Sequence, residues 1–239
     1  MHRLPFWFLL PALVTGRPAE PPPLVSILEA RRAAAMLGPN LWQRVVVIRN
    51  TGRTNVYPTT FAAVVFEMGG ILWFYCPVDG TQSLSLRRGH AVADERNLGP
   101  LLREIDPGFT RWDFAPADDR PLPSGPVPPN ACFLECLALL RGRLVAGVPT
   151  ERPRLLSYYI AVPGGVSGHT VLYFQAREGP IVIDPHFPKG RLRIGAARPD
   201  DARSVADYLR RDIVGARWVP VDPLGLAGGA RPSLQASLP

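Results

Sequence analysis

Pro129-Asn130-Ala131-Cys132-Phe133-Leu134-Glu135-Cys136-Leu137-Ala138-Leu139-Leu140 ends a proline-rich approach and begins an apolar run long enough for a buried helix. Asn is a favoured N-cap, because its side-chain oxygen accepts a free backbone N–H of the first turn. With Asn130 as cap, Cys132 falls in that first turn, where unpaired N–H groups and the helix dipole favour thiolate over thiol. About forty residues on, Gly168-His169-Thr170-Val171-Leu172-Tyr173-Phe174 reads as a strand that opens on a histidine. Ile181-Val182-Ile183-Asp184-Pro185 reads as a second short strand, closed by a carboxylate.

A thiol acyl-transfer site needs a soft nucleophile, a base to take its proton and a group that orients the base. Cys132, His169 and Asp184 supply these roles in order. Alternation puts His169, Val171, Tyr173 and Gln175 on one strand face. The fifteen residues from His169 to Asp184 suit a hairpin that brings the carboxylate back beside the imidazole. Cys136 is the competing nucleophile; one turn deeper, it loses the helix-end field and reads as packing. A different reading takes Cys132, Cys136, His169 and His186 as a Cys2His2 metal set. Three residues between the cysteines and sixteen between the histidines are unlike common zinc spacings, so no metal and no cofactor are expected. His169 also has a bland reading, a strand-end histidine bonded to a loop. His186 reads as a residue of the site mouth or of the surface, His90 as a solvated loop histidine, and Cys76 as core packing.

Outward from the site, residues 114–129 carry six prolines and form the clearest linker. Before it, Ser26-Ile27-Leu28-Glu29 is a capping-box pattern opening a helix that Gly38-Pro39 stops. Strands follow at Arg44 to Arg49, Thr60 to Phe66, Ile71 to Cys76 and Ser83 to Leu86, with Met68-Gly69-Gly70 as a hairpin signal. Leu98 to Ile105 reads as a short helix. Beyond the cysteine helix, Leu155 to Ala161 is a strand, Asp200 to Ile213 has helical spacing, and Trp218 to Val221 is a last edge strand. The expected division is 24–113, a helix plus an antiparallel meander; 114–129, a linker; 130–222, the cysteine domain; and 223–239, a tail.

With 239 residues the chain can bury a real core, and a hydrophobic fraction of 46% fits a folded globular protein. Its net charge of +7 comes almost wholly from arginine, Lys189 being the single lysine. These arginines are scattered without aromatic interleaving, which argues against nucleic-acid binding. Three cysteines cannot make a closed disulfide framework. Residues 1–23 join His2-Arg3, the apolar run Leu4 to Val14 and a Pro-rich spacer, a pattern like a secretory signal peptide; periplasmic or secreted location is expected, cytoplasmic otherwise. That run is short and broken by Pro5 and Pro11, and no other stretch suits a transmembrane span.

Residues 125–190 resemble the transglutaminase-like branch of the papain-type cysteine enzymes. The resemblance rests on Cys132 opening a helix with Leu139-Leu140, then Gly147-Val148-Pro149, Gly168-His169 and Ile183-Asp184-Pro185. It implies an α+β fold, a papain/transglutaminase-like domain whose central cysteine helix packs on an antiparallel sheet. It also implies acyl transfer on peptide or protein amides. Water as acceptor gives a cysteine peptidase or amidase, an amine a transglutaminase. The alternative is a catalytically inactive interaction module that binds through the β-rich N-terminal region, with Trp73-Phe74-Tyr75 as its surface.

Overall fold

A computed structural model describes residues 23–52, 57–84, 95–116, 122, 124–163, 165–187, 190–194 and 199–228. Residues 1–22 of the expected signal segment and spacer, and His90, lie outside these residues. The first half holds α1 (Pro23–Leu37), β1 (Gln43–Asn50), β2 (Thr60–Met68), β3 (Ile71–Cys76), β4 (Gly80–Leu84), α2 (Glu95–Ile105) and β5 (Phe109–Phe114). The second half holds α3 (Cys132–Val145), β6 (Glu151–Val162), β7 (Gly165–Ala176), β8 (Gly179–Ile183) and β9 (Arg191–Arg193). It ends with α4 (Ala202–Leu209), β10 (Ile213–Pro220) and α5 (Pro223–Ala227). The protein is α+β, with five helices and two antiparallel sheets among the described residues.

The sheets run β4-β3-β2-β1-β5 and β10-β6-β7-β8-β9, each of five strands. Their central strands are apolar on both faces, because both faces are covered. Along β2, Ala62, Val64 and Phe66 point to one core while Phe61, Ala63 and Val65 point to another, under α2. On the second sheet Leu172, Phe174 and Ile183 meet α3, while Val171, Tyr173 and Val182 meet α4. The layers therefore run α2, first sheet, a helical layer built on α1 and α3, second sheet, α4. Residues of α1, α3, α5 and both sheets fill the central core. No helix among the described residues is long and apolar enough to cross a membrane.

Several expectations change. Ser26 does not cap α1, which already runs from Pro23; its buried hydroxyl instead accepts the Ala62 N–H at 2.6 Å. Trp73, Phe74 and Tyr75 are at most 2% exposed, so they are core and not a binding surface. The helix expected to reach Ile213 stops at Leu209, because Arg210 is extended and Ile213 opens β10, paired with Ile160 of β6. Residues 223–227, expected in the tail, form α5, whose Leu226 enters the central core. Cys76 is fully buried, as packing requires, and burial pushes its thiol up to about 11.

Candidate active site

Helix α3 starts at Cys132, but Asn130 is not its cap. The N-cap position belongs to Ala131, with no side-chain cap hydrogen bond. Asn130 has a φ of 55° and turns its amide away, donating to the carbonyls of Pro77 at 2.7 Å and Val78 at 3.1 Å. Asn tolerates this left-handed conformation better than most residues do. Tyr75 adds a hydroxyl bond to the Pro129 carbonyl at 2.7 Å. The start of the cysteine helix is thus fixed by the first sheet.

Strand β8 ends where Ile183 faces Leu172, so β7 runs on past its partner. At Thr170 that open edge meets α3. Cys136 donates its S–H to the Thr170 carbonyl at 3.3 Å. The half-buried Cys132 sulfur lies where the Thr170 backbone and hydroxyl and the Phe133 backbone favour its thiolate. The Cys136 thiol thereby satisfies a strand carbonyl beyond the end of β8. The Thr170 hydroxyl also lies 3.0 Å from that of Ser157 across the ladder.

The helix-end effect on Cys132 is real but outweighed. Burial raises its thiol above the ordinary value, against the lowering contributed by Thr170 and Phe133. The resting group is therefore thiol and not the thiolate expected from helix position alone. Cys136 is fully buried and its thiol is pushed up further, by burial first and then by the charges of Cys132 and Asp184.

His169 and Asp184 do meet. Continuing the β7–β8 register puts Asp184 beside Val171 and diagonal to His169, on the same sheet face. Nε2 of His169 lies 3.0 Å from Oδ2 of Asp184. The second carboxylate oxygen accepts the His186 N–H at 2.8 Å, which holds the group in place. Tyr158, the cross-strand neighbour of His169, sets its ring edgewise 5.5 Å from the imidazole. Burial, and then the Asp184 charge, push the Tyr158 hydroxyl up to about 12, so it stays a neutral donor.

The thiol and the imidazole belong to adjoining positions, not to one hydrogen bond. Cys132 lies against Thr170, which shares the α3-facing side of β7 with Leu172; His169 takes the other side. The segment after β8 bridges them around the open edge. The His186 ring stands 5.0 Å from that of His169, and its Nε2 is 3.7 Å from Oε2 of Glu135 in the first turn of α3. One ligand atom each from His169, Asp184 and His186 lies within 4.8 Å of the others. This trio, and not the Cys2His2 set, is where the described residues could hold a metal.

Thr170, Tyr158 and Glu135 are site residues that motif reading missed. Thr170 had one signal, its place next to His169 opposite two cysteines at helical spacing. Beside the site, a shallow apolar groove of about 550 Å³ follows α3 past Ala138 and Leu139 to Val148, with Glu135 and Pro185 in its lining. Comparison of the chain with protein-family models, with curated proteins and with solved structures finds no match.

Proposed function

We propose that the chain is a thiol-dependent acyl-transfer enzyme of papain/transglutaminase-like fold, acting on peptide or protein amides. The observation that carries this reading is the His169–Asp184 pair, held at the strand end where Cys132 opens the central helix. Asp184 occupies Nε2, which leaves Nδ1 of His169 as the base; to take the thiol proton, the imidazole and the Cys132 side chain must turn toward each other around the open edge of β7. Because Cys132 rests as a thiol, proton transfer accompanies its attack on the amide carbon, in general-base fashion. The C–N bond then breaks, His169 returns the proton to the leaving amine, and a thioester remains. Water releases an acid; an amine forms a new amide. The groove along α3 suits an apolar side chain of the acyl donor.

A second reading, a non-catalytic interaction module, is favoured by one observation. The Cys136 sulfur bonds the Thr170 carbonyl and Cys132 lies half-buried against the same residue, a structural use that requires no reactivity. An activated acyl ester separates the two. The expected result is a single acyl-thioester on Cys132 by intact mass and peptide mapping, absent in Cys132→Ala. His169→Ala should slow its formation by about 10²–10⁴-fold. Equal acylation of Cys132 in the wild type and in His169→Ala would leave the interaction module as the better reading.

A further inference from the structure

We propose that His169, Asp184 and His186 form a binding site for a divalent transition-metal ion of the Zn²⁺ class. Two imidazoles and one carboxylate, with water in the fourth position, match the donor set that tetrahedral Zn²⁺ takes at open sites. The donor atoms lie within 4.8 Å of one another. Tetrahedral ligands stand about 3.4 Å apart at ordinary zinc bond lengths. His169 Nε2 and Asp184 Oδ2, now 3.0 Å apart, need only part slightly to admit the ion in place of their shared proton. His186 supplies the remaining movement, since its side chain is 58% exposed and held by no core packing.

Two features beyond the ligands fit the same use. Glu135, 3.7 Å from Nε2 of His186, stands where an outer-shell carboxylate fixes a ligating imidazole. The His186 N–H holds Oδ1 of Asp184, which leaves Oδ2 as the single metal-facing oxygen. The cysteines are not among the donor atoms that converge there, and Cys136 is engaged by the Thr170 carbonyl. Binding rests on these residues alone. Its consequence rests on the acyl-transfer reading: an ion on His169 and Asp184 removes the base and its orienter, so the metal acts as an inhibitor.

The test titrates the full chain with Zn²⁺ against a chromogenic chelator and with Co²⁺ by visible absorption. Wild type, His186→Ala, Glu135→Gln and Cys132→Ala are compared, with circular dichroism as the check on folding. Expected are one ion per chain in wild type, affinity weakened at least about tenfold by His186→Ala, and a loss of about 10–100-fold on Glu135→Gln. Cys132→Ala should bind as wild type does, which tests the site in a protein without the proposed nucleophile. Absence of saturable binding in wild type overturns the proposal. So does binding that survives His186→Ala but is lost in Cys132→Ala, which would move the ion to the cysteines.

Discussion

Two influences oppose each other on the Cys132 sulfur. Burial disfavours the thiolate, while Thr170 and the Phe133 backbone favour it, and burial wins. A thiol raised above its ordinary value reacts faster as pH rises, because only the thiolate is alkylated. Removing a donor to the thiolate should raise it further. Thr170→Val keeps the backbone bond and the shape but deletes the hydroxyl. At pH 8 its iodoacetamide labelling at Cys132 is expected to be about 3–10-fold slower than wild type, with the pH profile displaced upward. An unchanged profile would mean that the hydroxyl serves Ser157 alone. The place of Cys132 at a helix start was legible in the sequence, since a proline run gives way to an apolar one there. Its protonation state was not: the surroundings that bury Cys132 come from a strand nearly forty residues away.

The start of α3 and the end of β8 decide where the site lies. Asn130 ties the first to the β3–β4 turn through two hydrogen bonds, and Gly80, at φ +73°, leaves the room for that approach. Asn130→Ala loses both bonds and places a less tolerant residue at a φ of 55°. The expected cost is about 2–4 kcal/mol by urea unfolding, with Asn130→Gly costing less because it relieves the backbone. Equal losses for the two variants would show that the turn geometry contributes nothing. Regular elements such as Ile71–Cys76 were legible because an apolar run stands between turn residues. Strand β5 was not, since its apolar residues Phe109, Trp112 and Phe114 break the two-residue period. The cause is a bulge where the pairing shifts between Arg49 and Asn50. Asn130 likewise read as a cap because its identity suits one; only the contact with Pro77 and Val78 distinguishes the two uses.

At the scale of the whole molecule, α3 is a shared element and not the property of one half. Phe133 packs its ring 4.9 Å from that of Trp73, and Leu134, Leu137 and Leu140 enter the same core as Phe66, Met68 and Tyr75. A proline-rich segment reports local backbone stiffness, so the sequence could mark residues 114–129 as a connection. It could not show that apolar residues on either side fill one cluster. The shared core makes a prediction about the chain cut at this segment. Exposing even three large side chains of α3 costs about 5–9 kcal/mol, against a total stability of about 5–15 kcal/mol for a domain. A fragment of residues 122–239 is therefore expected to show no cooperative melt and poor amide dispersion by NMR. Mixed with residues 1–121, it should recover both, along with any labelling selectivity at Cys132. A cooperative melt by 122–239 alone would show that the second sheet and α3 suffice for their own fold. The site would then depend on the first sheet only through the contacts of Asn130 and Tyr75.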